Sequence, residues 1–403
     1  MTINSITTSN VFLGQFQPCQ LSKPIPQDKL LNYTSWLMSS AICVNESPPS
    51  KEKTNQISLD TKEKVNRFGV SAELINKRQF LVVPDNIFEK SVDIVDKLPR
   101  LHKDLFNNPN GDFLDVRMNF FKEQVYKIFQ ELYLHNNEAP NDLIHVTCAG
   151  YLSPSPAQEY VVSRQWYETQ VTHSYHMGCY GAFPAVKMAC GFIAFAQNSY
   201  TPKQKVDIVH TELVSTHLNV NSTDAGNIVN MTLFGDGFIK YSAYPEAEFW
   251  KKNIPGLKII TSHEEIIPDS LEEMTWVPGS YQFDMFLSKD VPLIIGASIK
   301  KFVEKICKKA GFSFEEKRKD LIYAIHPGGP KILNYIKDIL QLNDDHIKYS
   351  KKVFLENGNM SSATIPHIWK EITETTAVEK GKIIITMAFG PGLTATGLIL
   401  EKA

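Results

Sequence analysis

Short apolar segments of the kind that form β-strands alternate with longer amphipathic segments along most of this chain. The strand-like segments include 143–148, 205–211 and 320–325, and the helical ones include 113–134 and 291–309. Within 113–134 the apolar residues recur every three to four positions, which is the spacing of one helix face. This alternation is typical of an α/β protein, in which helices cover the faces of a sheet.

The chain is long enough for two domain-sized cores or for one large fold made of two similar parts. It has 403 residues, of which 43% are hydrophobic and 21% charged, as in ordinary globular proteins. A break rich in Trp, Pro and Gly at 249–256 separates the two parts, so we predict one unit over 1–255 and another over 256–403. The polar segment 45–60 is predicted to be a surface loop.

Acidic and basic side chains nearly balance, which argues against nucleic acid or an anionic membrane as a partner. There are 42 Lys and Arg against 44 Asp and Glu, a formal charge of -2. No apolar run approaches the ~20 residues needed to span a bilayer. The first 17 residues lack the basic and apolar parts of a secretory signal. We therefore expect no membrane span and a cytoplasmic location.

Several common site motifs are missing from the sequence. The six cysteines are scattered without a C-x-x-C pair, so neither a disulfide framework nor a zinc ribbon is indicated. A phosphate-binding G-x-x-x-x-G-K-[ST] loop, a G-x-G-x-x-G fingerprint, a G-x-S-x-G elbow and an H-E-x-x-H helix are also lacking. Nucleotide hydrolysis, dinucleotide redox chemistry and the commonest serine hydrolase layout lose support.

Three residues stand where α/β proteins often place chemistry. Cys179 follows a glycine and opens an apolar helix, so the helix dipole would favour its thiolate, although a small buried core residue fits the position as well. His326 follows a strand and precedes two glycines, which suits either a site or a structural turn. Asn359 lies in a Gly-Asn turn that alone indicates only a helix cap.

The order of five short blocks is more specific than any one of these residues. The blocks are G-C at 178–179, L-F-G-D-G at 233–237, H-P-G-G-P at 326–330, G-N-M-S-S-A at 358–363 and F-G-P-G-L-T at 389–394. In order and spacing they resemble the type III polyketide synthase (chalcone synthase-like) family of the thiolase superfamily. The resemblance is clear from about residue 143 onward and weaker before it.

The resemblance implies a fold, an assembly and three catalytic roles. The fold is a five-layer αβαβα sandwich of two similar halves, and the assembly is a homodimer. Cys179 would be the nucleophile that carries the acyl chain as a thioester. His326 and Asn359 would hold the carbonyl of a malonyl thioester, because decarboxylation leaves an enolate that two neutral donors stabilise.

The sequence departs from the family at the substrate pocket. Phe234 matches one of two gating phenylalanines, whereas Met285 replaces the other. Cys148 and Ala149 stand where the family has Thr-Ser, and His217 replaces a pocket threonine. Ser361 and Glu212 match the family, and the resemblance also assigns Ser361 and Gly392 to the pocket. Because Met adapts its shape and a ring-closing hydroxyl is missing at Ala149, we expect fatty or polyketide acyl starters rather than phenylpropanoid ones.

No cofactor or metal is expected, since thioesters of coenzyme A or of an acyl-carrier protein are the substrates. A basic group near Arg67, Lys77 and Arg78 resembles the family's region that contacts coenzyme A phosphates. Zinc bound by His173, His176 and Cys179 is disfavoured, because these ligands would not converge and the metal would silence the nucleophile.

The leading interpretation is an acyltransferase that extends an acyl starter with malonyl-CoA or a malonyl carrier protein. A second is a ketosynthase that joins two preformed β-ketoacyl chains from carrier proteins. A third is a non-catalytic acyl-binding scaffold, which the complete Cys-His-Asn set argues against.

Overall fold

Helices and strands alternate along the protein in the computed structural model, which describes residues 10–46, 49–89, 93–135, 138–197 and 202–403. The strands are β1 (Val11–Cys19), β2 (Ile25–Pro26), β3 (Lys77–Arg78), β4 (Asp142–Thr147), β5 (Gln170–Tyr175), β6 (Val206–Glu212), β7 (Gly237–Pro245), β8 (Gly256–Ile266), β9 (Met274–Pro278), β10 (Phe283–Leu287), β11 (Ile322–Ile325), β12 (Ile383–Gly390) and β13 (Thr394–Lys402). The helices are α1 (Gln27–Asn45), α2 (Lys51–Phe68), α3 (Leu114–Leu132), α4 (Pro156–Ser163), α5 (Ala182–Ala196), α6 (Ala225–Leu233), α7 (Glu246–Lys252), α8 (Val291–Lys309), α9 (Phe314–Lys317), α10 (Pro330–Ile339), α11 (Lys348–Asn357) and α12 (Thr364–Glu374).

The large sheet repeats one strand pattern in its two halves. Its order is β11-β12-β13-β8-β1-β7-β6-β4-β5, so strands before residue 256 lie together and those after it lie together. In the first half, β1 pairs antiparallel with β7, β7 antiparallel with β6, and β6 parallel with β4. In the second half, β8, β13, β12 and β11 repeat these directions. The halves join where Phe12 of β1 pairs with Lys258 of β8. The division between residues 255 and 256 falls at the start of β8 and stays a prediction.

Three helical layers cover the two half-sheets. The largest apolar cluster contains α5 and α12 together with strand residues from both halves, so these helices form the central layer. Helices α3 and α4 pack on the outer face of the first half, and α8 and α10 on the outer face of the second. The predicted five-layer αβαβα sandwich of two similar halves is confirmed.

Strand β4 shows why these segments read as continuous apolar runs. All six of its residues are buried, because helices cover both faces of the sheet at that point. Helix α3 instead buries one stripe, which includes Met118, Phe121 and Val125, and leaves its other face in water. Both patterns agree with the elements predicted from sequence.

Helix α2 corrects one prediction. The segment 45–60 was expected to be a loop because it is polar, yet the helix begins at Lys51. The Ser50 side chain caps it by accepting a hydrogen bond from the Lys53 amide at 3.2 Å. Only Thr61 and Val65 of this helix are buried, so its polar composition reflects a surface helix rather than a loop.

One described stretch, Gly178–Ala196, is long and apolar enough by length and composition to cross a membrane. Most of this stretch is helix α5, which lies in the central layer. Its residues Phe183, Ala189 and Ile193 pack in the main core. Its apolar composition is therefore that of a core helix.

Trp369 tests whether the central layer holds the halves together. Its ring lies 5.9 Å from that of Tyr241, and its indole Nε1 donates to Thr386 Oγ1 at 3.1 Å. Trp369→Ala should lower the free energy of unfolding by ~3–5 kcal/mol, because it leaves a large cavity. Tyr167→Ala, at a largely exposed ring, is the control and should change it by less than ~0.5 kcal/mol. Denaturant unfolding measures both, and equal losses would contradict this packing.

Candidate active site

Cys179 lies on a tight turn between β5 and α5. Gly178 has φ +70°, and a side chain there would collide with the ring of Pro391. Only glycine combines this conformation with so close an approach. The turn Gly178–Tyr180 then leads into α5 and leaves Cys179 buried in the wall of a cavity. The sequence interpretation of a nucleophile position is consistent with this geometry.

His326 follows the last residue of β11 and is nearly fully buried. Its backbone N–H donates to the Met387 carbonyl at 2.9 Å, and its own carbonyl accepts from Gly328 N at 3.0 Å. Neither ring nitrogen has a hydrogen-bond partner among the described residues. Burial lowers the pKa of His326 to about 3, so the imidazole is neutral. A buried polar ring without partners is unusual and requires an explanation, of which a role in chemistry is one.

Asn359 lies close to Cys179 and to the turn that follows His326. Its Nδ2 lies 4.0 Å from Cys179 Sγ and 3.5 Å from the carbonyl oxygen of Gly328, in the turn after His326. Its Oδ1 accepts from the Ser361 amide at 2.8 Å, which leaves Nδ2 directed toward Cys179 Sγ and the Gly328 carbonyl oxygen. The site thus takes Cys179 from the first half of the fold and His326 and Asn359 from the second.

Asn359 is held in place by the segment that carries Phe234. A single parallel β-bridge joins Phe234 to Asn359, whose amide donates to the Leu233 carbonyl at 3.0 Å. The preceding Gly358 has φ +70°, and a Cβ there would approach the Leu233 carbonyl oxygen to 2.8 Å. The backbones of Phe234 and Asn359 are therefore directly connected.

A cavity of about 350 Å³ opens beside Cys179. Its wall includes predicted pocket residues from both halves: Cys148, His217, Phe234, Met285 and Ser361. Among the described residues, Ala149, Gly392, His326 and Asn359 do not line it. Ala149 packs instead in the apolar cluster under α3, and the neighbouring Pro391 occupies the place expected for Gly392. The sequence spacing around Ala149 and Gly392 does not indicate whether these positions face the cavity.

Burial controls the charge of Cys179 more strongly than the helix dipole does. Loss of solvent, followed by the nearby Glu212 carboxylate, raises the pKa of Cys179 to about 12, although hydrogen bonds from Ser361 and Asn359 oppose the shift. The expectation that the helix start would favour a resting thiolate is therefore not met. Cys179 therefore rests as a thiol and would have to lose its proton before it could act as a nucleophile.

Glu212 is a buried carboxyl group next to both cysteines. It accepts hydrogen bonds from the Cys148 amide at 2.9 Å and from the Ser362 hydroxyl. Burial raises the pKa of Glu212 to about 7. His210 Nδ1 lies 2.9 Å from Ser362 Oγ, and its Nε2 lies 3.3 Å from the Tyr241 hydroxyl. Ser362 and His210 cannot be recognised as site residues from the sequence, because contacts between distant segments bring them close to Glu212.

An aromatic wall closes one side of the cavity. His217 Nε2 donates to the Ala149 carbonyl at 2.8 Å, and its Nδ1 accepts from Phe283 N at 3.0 Å. Burial lowers the pKa of His217 to about 3, so the ring is a neutral wall with both nitrogens occupied. It stacks on Phe283 at 4.3 Å, and Trp276 meets it edge-on while donating to the Cys148 carbonyl at 2.7 Å. The alternation of apolar residues along the β9–β10 hairpin is the sequence feature that could have indicated Trp276 as a wall residue.

Met285 lies on β10 and Phe234 lies opposite, after α6. Both side chains are partly buried and line the cavity. On β9, Trp276 pairs with Met285, so the flexible Met285 side chain is attached to the rigid aromatic wall. The gating role of Phe234 and Met285 stays a prediction.

Arg78 has a different environment from the one expected for a phosphate contact. The guanidinium is buried, stacks over the Phe80 ring at 4.8 Å and donates to Gln27 Oε1 at 2.7 Å and to the Met231 carbonyl at 3.0 Å. A further bond reaches the Phe234 carbonyl. The buried Arg78 guanidinium thus supports the segment that carries Phe234, and its burial argues against direct contact with coenzyme A. Lys77 and Arg67 are exposed, and their predicted role stays a prediction.

Among the described residues, no three His, Cys, Asp or Glu side chains are close enough to hold a metal ion. His173 Nε2 instead lies 2.8 Å from Ser155 Oγ. His173, the histidine of β5, thus belongs to a local polar network.

The burial of Cys179 predicts a specific pH dependence of its alkylation. Because its pKa is raised, the thiolate fraction is small near neutrality, and the iodoacetamide rate at Cys179 should rise about tenfold per pH unit from about pH 7 to about pH 10. Glutathione in the same tube should level off near pH ~9. Peptide mass spectrometry measures the Cys179 rate, and a plateau below about pH 8 would contradict burial control.

Comparison with known proteins agrees with this geometry. The C-terminal domain of chalcone and stilbene synthases matches residues 258–403. Type III polyketide synthase C of Arabidopsis thaliana is 27% identical over 239 residues, which cover 58% of this chain and 60% of that protein. The chain spans 60% or less of the length of the curated relatives that it matches.

Solved structures share the fold over nearly the whole chain. PKS-I from the brown alga Ectocarpus siliculosus has a TM-score of 0.80 at 20% identity and covers 99% of this chain and 100% of its own. The type III polyketide synthase domain of Steely1 from Dictyostelium has a TM-score of 0.75 at 20% identity, with 98% and 99% covered. The C-terminal domain match and the curated relatives bear out the resemblance of the ordered sequence blocks to type III polyketide synthases.

Proposed function

We propose that this protein is a decarboxylative condensing acyltransferase that loads an acyl chain on Cys179 and extends it with a malonyl thioester. The observation that carries the proposal is the contact of Asn359 Nδ2 with Cys179 Sγ at 4.0 Å, next to the turn after His326, whose neutral ring has no hydrogen-bond partner among the described residues. Such a pair of neutral donors fits an oxygen that becomes negative during reaction.

Loading begins with the Cys179 thiol. Its sulfur attacks the carbonyl carbon of an acyl thioester, the bond to the donor thiol breaks, and the acyl group remains on Cys179. The Cys179 proton must pass to a nearby base and finally to the departing thiolate. His326 is the group we assign, because its ring is neutral and both of its nitrogens are without a partner.

Extension then uses the same two donors. A malonyl thioester that binds with its carbonyl oxygen toward His326 and Asn359 loses carbon dioxide, and the electrons of the broken bond form an enolate. The enolate carbon attacks the acyl carbonyl on Cys179, a carbon–carbon bond forms, and Cys179 leaves as the thiolate. Neutral donors stabilise the enolate without holding a charge before it forms.

The shape of the cavity supports flexible acyl starters. Trp276, Phe283 and His217 form a rigid wall, while Met285 on the adjoining strand can change its shape. A chain with free rotation can follow such a boundary more easily than a flat ring can. We propose medium-chain fatty or polyketide acyl groups as starters, delivered by coenzyme A or by a carrier protein to a cytoplasmic homodimer.

The catalytic trio predicts separable defects. Cys179→Ala should abolish the covalent acyl adduct, whereas Asn359→Ala should retain the adduct and lower malonyl decarboxylation by ~10²–10³-fold, because one oxyanion donor is lost. Intact-protein mass spectrometry and carbon dioxide release measure the two steps. Cys307→Ala, remote from the cavity in the second apolar cluster, is the control.

An adduct that persists at another cysteine of Cys179→Ala with full turnover would contradict the nucleophile assignment. A normal decarboxylation rate in Asn359→Ala would contradict the oxyanion role. Product from two preformed β-ketoacyl thioesters without malonyl thioester would instead favour the ketosynthase alternative.

The cavity predicts the preferred starter. Turnover with a medium-chain acyl thioester should exceed that with a coumaroyl-type thioester, because Met285 adapts to a flexible chain. Met285→Phe should narrow this difference by stiffening the gate. Product analysis by mass spectrometry measures both, and a clear preference of the unaltered protein for the aromatic starter would overturn the interpretation.

A further inference from the structure

A second cysteine shares the cavity with Cys179. Strands β4 and β5 are parallel neighbours, and Thr147 at the end of one pairs with Tyr175 at the end of the other. Cys148 follows the first strand directly and Cys179 follows the second after a short turn. Both cysteines are free and line the cavity wall. The topology therefore places two thiols at the same edge of the sheet.

Side-chain contacts bring the two sulfurs toward one another. The Gly178 amide, next to Cys179 in the chain, donates to Cys148 Sγ at 3.0 Å. The Cys148 sulfur therefore lies against the backbone of the turn that carries Cys179. Rotation about the side-chain χ1 angles is the movement that a direct bond requires.

We propose that Cys148 and Cys179 form a reversible disulfide when the protein meets a peroxide. In the first step Cys179 sulfur attacks one peroxide oxygen, the O–O bond breaks, and Cys179 sulfenic acid and water form. In the second step Cys148 sulfur attacks the sulfenic sulfur, the S–O bond breaks and a second water leaves. Two thiols are oxidised and one hydrogen peroxide is reduced to two waters.

Nearby groups suit the second step. The buried Glu212 carboxyl accepts a hydrogen bond from the Cys148 backbone amide at 2.9 Å, so it lies near enough to take the proton of the Cys148 thiol. The Gly178 amide then remains as a donor to the developing Cys148 thiolate. Because burial raises the pKa of both thiols, the reaction should be slow near neutrality and faster as pH rises.

The disulfide would protect the nucleophile as well as block acyl loading. A cysteine sulfenic acid with no neighbouring thiol proceeds to sulfinic acid, which thiols do not reduce. A disulfide with Cys148 stops this sequence at a state that a cellular thiol reverses. In a reducing compartment such bonds are transient and act as redox sensors.

The test follows the thiol of Cys179 and needs no substrate. The reduced protein is treated with hydrogen peroxide, blocked with iodoacetamide, digested and analysed by mass spectrometry. We expect a cross-linked peptide pair containing residues 148 and 179, an intact mass lower by two hydrogen atoms, and recovery of most Cys179 alkylation after dithiothreitol. Cys148→Ser should instead lose most of its Cys179 thiol permanently, and Cys190→Ser should behave as the unaltered protein.

Sulfinic acid at Cys179 of the unaltered protein without the cross-linked peptide would overturn the proposal. Equal recovery of Cys179 in Cys148→Ser and in the unaltered protein would overturn it too. Should the serine variant fail to fold, the peptide map of the unaltered protein decides alone. Loss of the proposed condensation activity would leave this result unaffected, because the readout is chemical.

Discussion

The close approach of the Gly178 turn to Pro391 is the contact on which the site depends. Gly178 ends the approach from β5 in the first half, and Pro391 begins the turn between β12 and β13 in the second. A side chain at residue 178 would push the two turns apart, and Cys179 with them. The nucleophile is therefore placed by the packing of two similar halves, not by its own helix alone.

The same packing buries the side chains of the site, and this burial determines their protonation states. Burial keeps Cys179 as a thiol and His326 as a neutral ring, and it raises the pKa of Glu212 to about 7. A fixed positive charge would hold a carboxylated substrate before reaction, whereas neutral donors act most strongly on charge that appears later. Neutral Cys179 and His326 side chains suit the proposed reaction, in which negative charge develops at the enolate.

Sequence patterns were sufficient for the elements that carry the trio. The strand before His326, the glycine before Cys179 and the turn at Asn359 were all readable from local spacing, and their order indicated the family. The layered fold followed from the same blocks. These features are local or preserved as short motifs, so they need no knowledge of distant contacts.

Features that depend on distant packing could not be read in this way. Arg78 looked like a surface cation, but its guanidinium satisfies carbonyls of the α6 end. Ala149 points into the cluster under α3 while Cys148 faces the cavity, since neighbours in a strand extension face opposite sides. The charge of Cys179 also depended on burial, which outweighs the helix start that the sequence displays.

A crystal structure with a bound acetyl thioester of coenzyme A, a product-like ligand that cannot lose carbon dioxide, tests the central claim most directly. We expect its carbonyl oxygen to lie ~3 Å from both a ring nitrogen of His326 and Nδ2 of Asn359, with its methyl carbon toward Cys179 Sγ. A thioester that binds in the cavity with its carbonyl oxygen away from both residues would contradict the account.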